Sequence, residues 1–370
     1  MLRFARWFAT AGLALLPALA GAQILIGQTS GFSGPVAAGV KETTDGAKLW
    51  IDAVNARGGI NGQKIELLSL DDQFDHKLAA ANAKTLIVDK NVVALFLNRG
   101  TPHTEAIRPL LEEHRVALVG PSTGAMVLHT PVHPYIFNVR ATYQREAEKA
   151  VQHLATIGMT RIAVLHVDDS FGADAAAGAT KGFQAAKLQP AAVAKYDRAK
   201  PDFAAPVDAI VKADAQAVLF FGSGQAVLDG IVALRAKGSK AQIVTLSNNA
   251  SGGFVKLLGE HARGVIVTQV FPNERSLSLP MVKEAVELAK AKGLPGVSPA
   301  MMEGYASAKV LVEGLRRAGP KVTRESVTAA LNTLNGFDLG GMKVSYSPGS
   351  HTGLGYAELS IIGADGKFVR

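Results

Sequence analysis

From residue 23 onward the chain alternates short apolar runs with longer stretches whose apolar positions recur every three to four residues. The run QILIGQTS (23–30) predicts a strand, and residues 43–57 predict a helix with Ala47, Trp50, Ile51 and Val54 on one face. Gly58 and Gly59 end that helix, Asn61-Gly62 supplies a tight turn, and KIELLSL (64–70) predicts the next strand. A helix over 78–89, a strand over 92–97, a helix over 104–114 and a strand over 116–119 continue the rhythm. After Arg140 it restarts, with helices over 144–157, 173–186, 202–212 and 226–237 alternating with strands over 161–166, 191–196, 217–221 and 242–246. Helices over 280–292, 299–318 and 324–335 precede a hairpin-like tail that begins GMKVSYSPGS. The strands are apolar on both faces, as in a parallel sheet covered by helices on both sides. Two successive strand–helix series predict an α/β chain of two doubly wound lobes.

The first 22 residues stand apart from this pattern. Arg3 and Arg6 precede the apolar stretch WFATAGLALLPAL, and Ala20-Gly21-Ala22 supplies the small residues a signal peptidase needs. The stretch is shorter than a membrane span, so it predicts cleavage between Ala22 and Gln23 and an exported protein. Removing those residues and their two arginines leaves 348 residues and lowers the formal charge from +8 to +6. The charges are scattered rather than clustered, which argues against a nucleic-acid partner. The absence of cysteine excludes disulfides, thiolate metal sites and a cysteine nucleophile, and 348 residues bury enough core without them.

In open α/β sheets, ligands bind beyond the carboxyl ends of the strands. Here those ends are the loops 30–36, 98–104, 120–124, 167–172, 222–225 and 247–252. None carries a phosphate-binding P-loop or a nucleophile elbow. Gly222-Ser223-Gly224 opens like a dinucleotide fingerprint, but Val227 replaces its third glycine and no acidic residue follows the next strand. His129 and His133 are separated by Pro131, which prevents the helix that would align them on a metal. Asp71-Asp72 and Asp168-Asp169 each end a strand and read as caps and turns. No cofactor or metal is expected. The loop LNRGTPHTEA (97–106) leaves two readings open: a tight connection in which Thr101 or Thr104 caps a helix, or a capture site. In the second, Thr101, Ser122 and Thr123 offer neutral hydroxyl donors beside helix N-termini, a combination suited to a carboxylate.

The segment SGFSGPVAAGVKETTDGAKLWIDAVNARGGINGQKIELLSLDDQFD (30–75) resembles the opening of the type I periplasmic binding proteins of the leucine/isoleucine/valine-binding class. VGPSTGA (119–125), YIFNVRATY (135–143) and DDSFGAD (168–174) fall where that family places interlobe residues, and the resemblance extends over residues 23–370. It implies two α/β lobes joined by three crossovers, near 138–142, 268–272 and 341–348. The lobes would comprise 23–140 with 271–344, and 141–270 with 345–370.

The resemblance also implies a solute receptor of an ABC importer, not an enzyme, that docks as a monomer on membrane permease subunits. Thr101, Ser122 and Thr123 match positions that hold a ligand carboxylate, and Phe171 matches an aromatic position that packs on the solute. Ser247-Asn248 stand where branched-chain amino acid binders carry an acid, Tyr143 where they carry an aspartate, and Ser223 where they carry an aromatic residue. With His103 as a further cleft-lining candidate, these departures point to a small carboxylate lacking an α-ammonium, or another small polar or amino-acid-like solute, rather than leucine or valine. A ligand-sensing receptor module and an exported hydrolase using His103 as base are the competing classes.

Overall fold

A computed structural model describes residues 23–369, so the signal peptide expected over 1–22 lies outside the described residues. Five parallel strands, β1 (Ile24–Ser30), β2 (Ile65–Asp71), β3 (Ala94–Phe96), β4 (Ala117–Val119) and β5 (Ile136–Phe137), form a sheet in the order β2-β1-β3-β4-β5. Helices α1 (Ala37–Ala56), α2 (His76–Lys84) and α3 (Thr101–His114) connect its strands. Consecutive strand residues serve opposite cores. Phe96, Val119 and Phe137 join one apolar cluster, and Leu95, Leu118 and Ile136 join another. Burial on both faces is why these strands read as unbroken apolar runs.

The chain then builds a second sheet from β6 (Ile162–Val167), β7 (Ala192–Tyr196), β8 (Ala217–Phe221), β9 (Gln242–Thr245) and β10 (Ile266–Gln269). Helices α4 (Tyr143–Thr156), α5 (Ser170–Ala186), α6 (Ala204–Lys212), α7 (Gln225–Ala236) and α8 (Gly252–Leu258) accompany it around one core cluster. After β10 the chain returns to the first sheet through α9 (Pro280–Ala291), α10 (Pro299–Arg317) and α11 (Arg324–Asn332). There α10 crosses α1 at a glycine contact. A Cβ on Gly46 would meet the Met301 carbonyl oxygen at 2.0 Å, and one on Gly304 the Thr43 carbonyl oxygen at 1.7 Å. No described helix is long and apolar enough to cross a membrane.

The tail is not the hairpin that its sequence suggests. Residues β11 (Phe337–Asp338) and β12 (Lys343–Val344) pair with each other, while β13 (Glu358–Ile362) pairs antiparallel with β10 and with β14 (Phe368–Val369). Residues 345–354, expected in the second lobe, pack with the first: Tyr346 stacks edge-on against Phe137, and the Leu354 N–H donates to the Val139 carbonyl at 2.8 Å. Apolar burial and backbone pairing with 138–139 hold this stretch, so the third passage between the sheets runs later than 341–348. Strands β5 and β10 and helix α8 have no counterpart in the pattern reading, being only two to seven residues long.

Candidate functional site

The carboxyl ends of β3 and β4 open on a loop whose backbone is unusual from the start. Leu97 and Gly100 both have positive φ, 57° and 103°. At Gly100 a Cβ would also meet His103 Nδ1 at 2.6 Å, so both conformation and space call for glycine. The turn lets α3 begin at Thr101, three residues before the expected start. The Asn98 amide donates to Thr104 Oγ1 and that hydroxyl donates to the Gly100 carbonyl, each at 2.8 Å, while the Ser122 N–H donates to the Asn98 carbonyl at 2.8 Å. The loops after β3 and β4 are thereby locked together. A second strained loop follows β2, where Gln73 and Phe74 have φ of 52° and 60°. Asp72 accepts the Phe74 N–H at 3.0 Å and the Thr29 hydroxyl at 3.1 Å, and burial pushes its pKa up to about 6.

Between the two sheets these loops border a tight cleft whose free interior, about 10 Å³, is barely enough to seat one water-sized sphere, so a solute must part the two halves to enter. Phe74, Arg99, Gly100, Thr101 and Ser122 border it from the first half of the molecule, and Tyr143, Phe171, Arg198, Ser223 and Asn248 from the second. The halves touch around it. Arg99 Nη2 donates to the Asn248 carbonyl at 2.6 Å, Ser170 donates to Glu105 at 2.6 Å, and Glu42 accepts the N–H groups of Gly252 and Gly253 at 3.0 and 2.7 Å.

The charge in this cavity is one-sided. Two guanidiniums border it, and among the described residues bordering it there is no carboxylate. Arg198 is paired with Asp169 at 2.5 Å and lies 5.2 Å over the Phe74 ring. Arg99 is only 6% exposed, and the carbonyl of Asn248 is its hydrogen-bond partner. Burial pulls its pKa below the ordinary arginine value. Burial also raises the pKa of Tyr143, which keeps that phenol neutral.

Of the residues singled out in the sequence, Thr101, Ser122, Tyr143, Phe171, Ser223 and Asn248 come together around the cavity. Thr101 Oγ1 lies 2.8 Å from Thr123 Oγ1, and Asn248 donates to Ser223 Oγ at 3.0 Å. Three do not border it. Thr123 is fully buried behind Thr101. His103 is buried and stacks on the Phe74 ring at 4.5 Å, and burial lowers its pKa to about 4. It is a neutral supporting ring with no carboxylate bonded to it.

Ser247 turns instead into a buried network, accepting from Arg140 Nη2 at 2.6 Å while its N–H donates to Glu146 at 3.0 Å. Arg140 also bonds Glu146 directly and lies 3.7 Å from Glu303, and its guanidinium sits 4.6 Å over the Tyr143 ring. Sequence reasoning missed Phe74, Arg99 and Arg198. Arg99 stood inside the loop already singled out, and the loops carrying Phe74 and Arg198 follow the carboxyl ends of β2 and β7, where ligands are expected.

A family model described as periplasmic binding protein matches residues 23–363. The Leu/Ile/Val-binding protein homolog 3 of Brucella melitensis is 27% identical over 84% of this chain and 83% of its own length. A leucine-, isoleucine-, valine-, threonine- and alanine-binding protein of Pseudomonas aeruginosa is 26% identical over 89% and 88%. Among solved structures, a substrate-binding periplasmic protein of Ralstonia solanacearum is 34% identical and covers 94% of this chain and 99% of its own, with a TM-score of 0.84. The chain belongs to the periplasmic binding proteins, type I, of the Leu/Ile/Val-binding class. It is a solute-binding receptor and not an enzyme, which removes the hydrolase alternative.

Proposed function

We propose that this receptor serves an ABC importer from the periplasm, after cleavage before Gln23, and that its solute is a small carboxylate without an α-ammonium group. The observation that carries the ligand class is Arg99. A guanidinium withdrawn from water without a carboxylate partner is costly, and an anion entering the cavity supplies that partner. Thr101 and Ser122 add neutral donors beside it, and Phe74, Tyr143 and Phe171 offer ring surface for the rest of the solute. Ser223 and Asn248 give polar contacts from the other half. An ammonium would meet the Arg99 guanidinium here and no bordering acid, Arg198 being already paired with Asp169, so the amino acids named for the relatives fit this cavity poorly. Solute binding draws the two halves together, and the closed monomer then docks on permease subunits.

Isothermal titration of the purified receptor against amino acids, keto acids and aromatic acids tests this reading. Micromolar binding of one or more acids lacking an ammonium, with leucine and valine silent, is the expected result. Tight leucine binding with no response to the other acids overturns it.

A further inference from the structure

The space around Arg99 does not end at the inner cavity. On the other side of its guanidinium lies an outer pocket of about 950 Å³, part of it open to solvent, between the start of α1 and helix α8. Pro35, Val36, Ala38, Phe254 and Leu257 give it largely apolar walls, and no Asp or Glu borders it. Arg99 and Asn248 border both spaces, so the 2.6 Å hydrogen bond between them is the partition. Apart from that bond, the Nε and Nη1 groups of Arg99 make no hydrogen bond with the described residues. Helix α1 begins beside them without a side-chain cap or an acidic residue in its first turn.

These features ask for one ligand chemistry. A buried cation with free donors wants an anion, and an apolar pocket opening directly beside it wants a hydrocarbon. We propose that the solute is an amphiphilic carboxylate whose apolar body lies in the outer pocket while its carboxylate sits on Arg99 and the hydroxyls of Thr101 and Ser122. The carboxylate takes the place of the Asn248 carbonyl on Nη2, because a charge-assisted hydrogen bond is stronger than one to a neutral acceptor. Exchanging that bond opens the partition and lets one molecule occupy both spaces. This inference rests on the carboxylate reading above and adds the length and polarity of what is attached to the carboxylate.

The test is a titration series of butanoate, hexanoate and octanoate against the wild-type receptor and Ala38→Phe. Ala38 is exposed at the rim of the outer pocket with its Cβ facing Gly253 of α8, so the larger side chain takes up space between α1 and α8 and outside the core. Wild-type affinity is expected to rise about threefold per added methylene. Ala38→Phe is expected to bind butanoate as the wild type does and to lose most of the gain for octanoate. Leu257→Gln, which makes the same wall polar, provides an independent variant and should lower octanoate affinity by about tenfold. Melting curves confirm that both variants fold, and if one does not, the other still tests the proposal.

Wild-type affinity that is flat with chain length, with butanoate bound, overturns the outer-pocket proposal and leaves the carboxylate reading intact. So does a length dependence that every folded variant keeps. If neither the series nor the shorter keto and aromatic acids bind, the carboxylate reading falls and the outer-pocket proposal falls with it.

Discussion

Two buried arginines, Arg99 and Arg140, face opposite electrostatic situations within the same interlobe region. Arg140 is fully enclosed, bonded to Glu146 and Ser247, with Glu303 3.7 Å away. Burial alone would lower its pKa, but Glu303 and Glu146 hold it above the ordinary arginine value. Arg99 is nearly as buried and has a backbone carbonyl in place of a carboxylate, and its pKa is depressed. One charge is compensated from within the chain. The other is left for something that arrives from outside. Arg140 also gathers α4, the segment after β9 and strand β10 around Glu146, which accepts from the Ser247 N–H and the Thr268 hydroxyl. The Arg140 network still leaves Nη1 and Glu303 Oε1 without a hydrogen-bond partner, so the contrast with Arg99 is one of charge: two carboxylates surround Arg140, and none is ion-paired with Arg99 among the described residues.

The comparison is sharpest where stability and affinity respond in opposite ways. Arg140→Met leaves Glu146 and Glu303 buried without their cation, and about 3–5 kcal/mol of folding stability should be lost. Urea denaturation measures this, and adding Glu146→Gln should recover part of the loss. A variant as stable as the wild type would mean that Arg140 is not compensated as its neighbours indicate. Arg99→Met should do the reverse. It removes a desolvated charge that has no acid partner, so stability should hold or rise slightly, while carboxylate affinity falls by about 2–4 kcal/mol. Paired denaturation and titration of the same preparation separate the two effects. A loss of stability without a loss of affinity would make Arg99 a second Arg140.

This contrast also shows what the sequence alone could reveal. Strand and helix order was readable because β3, β4 and β6 are buried on both faces and α1 and α4 carry apolar stripes at helical spacing. Residues just past strand ends, such as Thr101, Ser122 and Phe171, were readable for the same reason: strand direction alone brings them to the interlobe space. The direction of a side chain was not readable. Ser247 and Asn248 are adjacent, yet one turns to Arg140 and the other to the cavity, because a short turn after β9 rotates them apart. Nor does sequence distinguish Arg99 from Arg140. The difference lies in whether Glu146 and Glu303, from elements 6 and 163 positions further along the chain, fold back onto the guanidinium. His103 drew attention as the conspicuous titratable group, but burial keeps it neutral, stacked on Phe74 and away from the cavity.

The smallest expected effect concerns Thr101, whose part depends on the direction of one hydrogen bond. Its hydroxyl has a single hydrogen, and Thr123 Oγ1 lies 2.8 Å away. If Thr101 donates to Thr123, it can only accept from a ligand, which is of no use to a carboxylate. If Thr123 donates, the hydrogen of Thr101 is free to point into the cavity beside Arg99. A bound anion favours the second arrangement, so Thr123 acts by orienting its neighbour, and Thr101 supplies direction where Arg99 supplies charge. Thr101→Val should then weaken carboxylate binding by about 1–3 kcal/mol, the cost of unpaired polar groups. Thr123→Val, which leaves the hydrogen of Thr101 with no protein acceptor to compete for it, should weaken binding less. Titration of both variants decides between the arrangements. Equal affinity in Thr101→Val and wild type would reduce the residue to the first turn of α3, and leave Arg99 and Ser122 as the anchors on that side of the cavity.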